Sequence, residues 1–291
     1  YSFFWDKTLY KKLMSFSGWS LFGSAANVGA QQGLNILLNI FCGVTVNAAM
    51  GIANQVSSAV YSFVSNFQIA FNPQIVKAYA VGNKQYLEDL IFQSSRFSFF
   101  LLFLISLPFL LECDFILSIW LKEVPEYAVS FTRLIIISLI FEAMSAPLYI
   151  SVQAIGNIRN YQLLMSFLIL MNLPLSYFAL LLGFRPESTF VIRILISIIL
   201  YLIRLLYLNE KQCLLIRSYM KKVVLVVLLV VLLSVPLPLF VSIFLDSMLS
   251  FFVTSIVSVL ITSLIIYTLG LNAEEKLYVK RVFVNILHLK Y

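Results

Sequence analysis

Amide and hydroxyl side chains recur along two long apolar segments near the start of the sequence. They mostly follow one another at steps of three or four residues, which places them on one face of a helix. Amides both donate and accept hydrogen bonds, but in hydrocarbon they are unfavourable unless they meet water or a polar partner. The first stripe comprises Ser17, Ser20, Ser24, Asn27, Gln31, Asn35 and Asn39, and the second comprises Asn47, Asn54, Ser58, Tyr61, Ser65, Gln68 and Asn72, widened by Gln55, Ser62 and Asn66.

These two stripes predict the wall of a water-filled cavity, because they contain more amides than a seam between two helices requires. The alternative is hydrogen bonding between tightly packed helices, which the GxxxG spacing of Gly29 and Gly33 favours. As cavity-lining amides we predict Gln31, Asn35, Asn47, Asn54, Gln55, Asn66, Gln68 and Asn72.

Glu142 lies near the middle of another apolar segment. A carboxylate at that depth is costly and by default indicates function, so Glu142 is a candidate for proton or ion coupling. The alternative is a structural glutamate held by hydrogen bonds. Arg133 precedes it by nine residues, which places it on nearly the opposite face of the same helix, and it is therefore not an obvious partner.

Arg133 and Arg193 both lie slightly inside apolar segments. A guanidinium group pairs well with phosphate oxygens, so both residues are predicted to contact an anion in the cavity. The alternative is that their side chains extend to the lipid headgroups.

Covalent catalysis and metal chemistry find no support in the sequence. Its single histidine, His288, and its three cysteines, Cys42, Cys113 and Cys213, follow no metal-binding spacing. No phosphate-binding loop, dinucleotide fingerprint or HExxH motif is present. We expect no enzymatic activity, no metal site and no cofactor.

The composition determines which elements must position these residues. Of the 291 residues, 61% are hydrophobic and only 11% are charged, which excludes an ordinary soluble enzyme and a disordered chain. At about 20 residues a span, we predict an all-α, polytopic transmembrane bundle of about eight spans. The predicted spans are approximately 13–41, 47–71, 90–111, 128–155, 161–182, 189–208, 223–245 and 248–269, followed by an amphipathic tail from Asn272.

The basic residues predict the topology of these spans. Sixteen of the 20, Arg96 and Arg204 among them, lie in or near alternate connections and the tail, so the positive-inside rule places both ends in the cytoplasm. The net charge of +7 therefore reflects topology rather than nucleic-acid binding. The seventh and eighth spans are almost entirely apolar and are predicted to face lipid, with Pro236 and Pro238 kinking the seventh. Asn272 and Glu275 have the spacing of a capping box at the start of the tail helix.

Four stretches carry a resemblance to a known family. The run FCGVTVNAAMGIANQVSSAVYSFVSNFQIAFNPQIVKAYAVGN, residues 41–83, resembles the opening of the second half of bacterial O-antigen and capsule flippases. These are the lipid-linked oligosaccharide branch of the multidrug/oligosaccharidyl-lipid/polysaccharide exporter superfamily. SIWLKEVPEYAVSFTRLIII, QAIGNIRNYQ and NLPLSYFALLLGFRPES are similar to later parts of the same proteins, so the resemblance covers about residues 5–210.

The resemblance implies two bundles of six helices related by pseudo-symmetry, of which this chain would be the second, with two extra helices. It implies a six-helix transport lobe at 1–208, a linker and two peripheral helices at 209–271, and a cytoplasmic tail at 272–291, with a first lobe missing from the chain. The first two spans would line the central cavity. Relatives often carry a basic residue where this sequence has Met50, so a cationic contact at that point is not expected here.

The function implied is translocation of an undecaprenyl-pyrophosphate-linked oligosaccharide across the bacterial inner membrane by alternating access. The expected partners are this lipid-linked oligosaccharide, membrane lipids and, as a further candidate, a polysaccharide polymerase; nucleic acid is not expected. One alternative is an ion-coupled drug exporter of the same superfamily, although the two amide-rich spans carry no acidic residue. Another is a scaffold without transport activity in polysaccharide assembly.

Overall fold

The architecture is all-helical, as the composition predicts. The structure, a computed structural model, describes residues 6–244 and 248–288, with side chains as far as residue 281, and this part contains no β-strand. The helices are α1 (Lys7–Val81), α2 (Lys84–Leu111), α3 (Cys113–Trp120), α4 (Ala128–Ile155), α5 (Arg159–Leu170), α6 (Asn172–Leu181), α7 (Ser188–Glu210), α8 (Ile216–Tyr219), α9 (Leu225–Ser234), α10 (Pro236–Phe244), α11 (Met248–Ile265) and α12 (Ala273–His288), with π-helical segments at Met220–Val224 and Ile266–Gly270.

The first two predicted spans form one helical run of 75 residues, interrupted at Gly43, where φ is 83° and ψ is 179°. Asn27 and Tyr61 line the same cavity. In a straight helix their separation of 34 positions would hold them about 51 Å apart. The chain therefore bends back on itself at Gly43, and α1 supplies two crossings.

The second predicted span does not end before Pro73, because α1 continues through this proline to Val81. Proline disfavours a helix interior by removing one hydrogen bond. Here the residues beyond it, Ile75 and Ala78, are buried in a core cluster together with Leu87 and Leu90 of α2. This apolar packing keeps the last two turns helical, an effect that sequence propensity alone does not capture.

Seven helical segments of the described chain are long and apolar enough to cross a membrane, the first of them being α1. With α1 crossing twice, they account for the eight predicted spans. The fifth span is divided at Met171 into α5 and α6. The seventh is interrupted at Val235, immediately before Pro236, but Val235 keeps right-handed helical torsion angles (φ −74°, ψ −43°), so the proline kink stays a prediction.

Helix α4 occupies the centre of the bundle and packs against α1, α2 and α7. Helix α11 lies at the periphery, where it packs against α10 and α2. Its buried face is a row of small hydroxyl residues at steps of four, a pattern that lets helices approach closely. Leu228, Leu232 and Leu260 of the peripheral helices remain exposed, as lipid-facing positions require.

The tail helix begins with one half of the predicted capping box, since Oδ1 of Asn272 accepts from Nη1 of Arg96 at 3.3 Å instead of from the start of the helix. The backbone N–H of Asn272 donates to Oε2 of Glu275 at 2.7 Å. Oε1 of Glu275 also accepts a hydrogen bond from Arg96 of α2 at 2.6 Å, and both side chains are almost fully buried. Arg96, whose charge the sequence pattern assigns to the cytoplasmic connections, thus attaches the tail helix to the bundle.

Candidate functional site: a charged cavity between α1, α4 and α7

A cavity of about 400 Å³ lies among α1, α4, α5, α6 and α7. Both halves of α1 contribute to it because the chain bends back at Gly43. Its apolar wall includes Leu34, Met50 and Ile196. Its polar lining consists of Asn27, Gln31, Tyr61, Glu142, Ser145, Tyr149, Asn172, Arg193, Ser197 and Arg204.

Helix α7 presents its two arginines on the same face. Arg193 and Arg204 are eleven residues apart, which is close to three full turns, and their backbones are separated by about 16 Å along the helix axis. Ser197 lies between them on this face. The spacing explains why one helix brings two positive charges into one cavity.

Helix α4 faces these arginines with Glu142, Ser145 and Tyr149, which are spaced to share one helix face. Nη2 of Arg193 donates to Oε1 of Glu142 at 3.2 Å, and both side chains are partly exposed to the cavity. The sequence pattern relates Glu142 only to Arg133 on its own helix and does not pair it with α7. Such a contact between helices cannot be deduced from spacing along a single helix.

Arg204 is held by three groups. Its Nε donates to the hydroxyl of Tyr161 at 2.8 Å, its Nη1 donates to the hydroxyl of Ser145, and its guanidinium carbon lies 5.3 Å from the ring centroid of Tyr149. Arg204 is not among the site residues predicted from the sequence, because its position just before a cytoplasmic connection attributes its charge to topology. The signal that pointed to it was its eleven-residue separation from Arg193.

The predicted amides are distributed between the cavity and other places. Of the eight, Gln31 lines the cavity. Asn35 donates to Oε1 of Gln32 at 3.1 Å. Gln55 and Asn66 are exposed on the described chain, whereas Asn47, Asn54 and Asn72 are partly buried outside the cavity lining.

Gln68 has a different position. It is buried, and its Nε2 donates to the hydroxyl of Ser98 on α2 and to the carbonyl of Ala143 on α4, both at 3.1 Å. This is the interhelical hydrogen bonding that the sequence left open as an alternative. At Gln68 the amide joins three helix segments.

Arg133 lies outside the cavity, near the opposite end of α4. It donates to the carbonyl of Leu110 at 3.1 Å and to Oδ2 of Asp114 at 2.8 Å, and its side chain is 41% exposed. Asp114 in α3 follows directly after α2 along the chain. The predicted anion contacts at Arg133 and Arg193 therefore do not share one place in the structure.

Met50 lines the cavity and is fully buried. Met50 therefore forms part of the apolar wall. Relatives often carry a basic residue at this position, and no cationic contact was expected from Met50. The positive groups come instead from α7, across the cavity. In the ranges 6–244 and 248–281, where side chains are described, no three His, Cys, Asp or Glu side chains are grouped closely enough to hold a metal ion.

Membrane-spanning helices around a charged, polar cavity define the general class of a membrane transporter. The MatE family model matches residues 15–178, more than half of the chain, and the chain therefore belongs to the MatE family. It is a multi-pass membrane transporter of the exporter superfamily. The match ends before α7, so both arginines of the cavity lie beyond it. No curated protein and no solved structure matches the chain.

Proposed function

We propose that the protein translocates an undecaprenyl-pyrophosphate-linked oligosaccharide from the cytoplasmic to the periplasmic leaflet of a bacterial inner membrane. The observation that carries this proposal is the pair of arginines, Arg193 and Arg204, on one face of α7 inside a cavity. A guanidinium group binds phosphate oxygens with paired hydrogen bonds. The pyrophosphate is the anionic part of this cargo.

The rest of the lining suits the sugar end of the same molecule. Asn27, Gln31 and Asn172 offer amides, and Ser145 and Ser197 offer hydroxyl groups. Such groups both donate and accept hydrogen bonds, as sugar hydroxyls do. A cavity of about 400 Å³ is of the size that holds small polar ligands, so the polyprenyl chain would remain in the lipid.

Transport proceeds by alternating access, with one bundle rocking against another around the cavity. Both ends of the chain lie in the cytoplasm in this proposal. A polysaccharide polymerase would receive the cargo in the periplasm. The exposed amides Gln55 and Asn66 would extend the polar path beyond the cavity.

Export of cationic drugs by a related mechanism is less well supported. It would favour an acidic pocket, whereas this cavity contains two guanidinium groups and a single carboxylate, Glu142, which is already paired with Arg193. Drug resistance on expression, without any effect on surface glycan, would favour that function. A scaffold without transport activity would tolerate replacement of Gln31 and Arg204 by Leu.

The test is complementation of a deletion strain with the full-length protein. Arg193→Gln and Arg204→Gln should reduce surface polysaccharide and cause lipid-linked oligosaccharide to accumulate in the cytoplasmic leaflet. Arg217→Gln is the matched control, because Arg217 is exposed and lies outside the cavity. Normal surface polysaccharide in the deletion strain itself would refute the proposed function.

A further inference from the structure

The two arginines of the cavity are held very differently. Arg204 is fixed by Tyr161, Ser145 and the ring of Tyr149, three neutral groups that leave its positive charge uncompensated. Arg193 is held by a single charged partner, the carboxylate of Glu142 at 3.2 Å. The guanidinium of Arg204 is therefore oriented and available to an anion, whereas the guanidinium of Arg193 is already paired with the carboxylate of Glu142.

The pair Arg193–Glu142 is also open to its surroundings. The two side chains are 24% and 38% exposed, and both face the cavity rather than the packed interior. An ion pair in such a position is modest in strength, because solvent screens it and the side chains are free to separate. An anion with more negative charge than a carboxylate would compete with Glu142 for the guanidinium of Arg193 when it enters the cavity.

Glu142 is close to the contacts of both arginines. It pairs with Arg193, and it lies three residues from Ser145, which holds Arg204. The backbones of the two arginines are about 16 Å apart, but their guanidinium groups contact α4 residues only three positions apart, so a pyrophosphate group bound to Arg204 lies next to the Arg193–Glu142 pair. To bind Arg193 as well, it must take the place of the Glu142 carboxylate.

We propose that Glu142 is a built-in competitor that occupies Arg193 until the anionic end of the cargo displaces it. Arg204 is the first binding position and Arg193 is the second. This inference rests on the proposed function for its cargo and direction, but the competition between a carboxylate and a lipid pyrophosphate is a property of the cavity itself. The occupied second position keeps Arg193 from binding other anions before the cargo arrives.

Equilibrium binding of farnesyl pyrophosphate to the purified full-length protein tests the competition. Glu142→Gln keeps the size of the side chain and removes its charge, so affinity should rise about two- to fivefold. In an Arg193→Gln background, the same Glu142→Gln change should have no effect, because the competitor then has nothing to occupy. Glu210→Gln, at an exposed position at the end of α7, is the control and should leave affinity unchanged.

Unchanged or weaker binding by Glu142→Gln would overturn the inference. So would an equal rise in the Arg193→Gln background, since that would indicate a general effect of removing a negative charge. Glu142→Asp provides a second variant, whose shorter side chain should reach Arg193 less well and give a smaller rise.

Glycan export, measured separately in the deletion strain, distinguishes the two proposals. The predicted binding pattern without any role in export would support the competition and refute the cargo assignment. Normal dependence of export on the protein, together with equal affinities of the wild-type protein and Glu142→Gln, would refute the competition alone.

Discussion

At the scale of single residues, neighbouring helices determine what each polar side chain can do. Arg96, Arg133, Arg193 and Arg204 all lie in or near apolar segments, yet they pair with Glu275, Asp114, Glu142 and neutral groups respectively. Only the last two arginines line the cavity. Their partners explain why one arginine is structural and another is open to a ligand.

Arg204→Lys should lower export about tenfold, although it preserves the charge. Lysine cannot donate to Tyr161 and Ser145 in the forked geometry of a guanidinium, and one hydrogen bond to a charged group accounts for a change of this size. The rate of surface polysaccharide appearance measures the effect, with Arg217→Lys as the control. Full activity of Arg204→Lys would show that charge alone suffices.

Gln68→Leu should lower the free energy of unfolding by about 1–3 kcal/mol, because it leaves the buried hydroxyl of Ser98 and carbonyl of Ala143 without this donor. Gln55→Leu, at an exposed amide of the same stripe, should have little effect on stability. Denaturation of the purified protein in detergent provides the comparison. Equal losses for the two variants would contradict the bridging role of Gln68.

At the scale of elements, the bend in α1 and the attachment of α12 organise the bundle. Gly43 lets a 75-residue helical run double back so that both halves reach the cavity. Glu275 both caps α12 and pairs with Arg96 of α2. Each of these features depends on one residue, so a single substitution can test each of them.

Gly43→Ala should destabilise the protein by about 1–3 kcal/mol, since a φ of 83° with a ψ of 179° is a conformation that side chains other than glycine rarely adopt. Gly51→Ala is a control for which the expected change in stability has the opposite sign. Gly51 lies in the helical part of α1 with no atom within 4 Å of an added Cβ, so alanine there should be neutral or stabilising. Thermal unfolding of both variants measures the difference, and equal shifts would contradict the account of the bend.

Glu275→Gln should cost about 3–5 kcal/mol, because it leaves the charge of the buried Arg96 without its partner. Glu274→Gln, at the exposed neighbouring position, should change stability by less than about 0.5 kcal/mol. Limited proteolysis of the tail offers a second measurement of the same contact. Similar behaviour of the two variants would mean that the ion pair does not attach the tail.

At the scale of the whole molecule, the sequence predicted those features that depend on local pattern. Apolar segments of sufficient length predicted the spans, and Asn272 with Glu275 predicted a helix start. These signals lie within a few residues or within one helix. The all-helical bundle was therefore accessible from sequence alone.

The contacts between helices were not accessible in the same way. The sequence places Glu142 and Arg193 fifty-one residues apart, and nothing in either segment indicates that they meet. The position of Arg204 agreed with the positive-inside rule, and Gln68 belonged to the polar stripe predicted to line the cavity. In the structure, however, both side chains donate hydrogen bonds to α4. Pro73 fitted a helix end, but the core beyond it maintained the helix.

The whole-molecule proposal concerns movement of a lipid-linked pyrophosphate past the two arginines of α7. Its most direct test is the leaflet distribution of lipid-linked oligosaccharide in spheroplasts, measured by the access of an added glycosidase to the sugar. Cells that carry the wild-type protein should expose the sugar on the outer face, whereas cells that carry Arg193→Gln together with Arg204→Gln should retain it inside. Equal exposure in the two strains would contradict the central claim that this charged cavity transports the cargo.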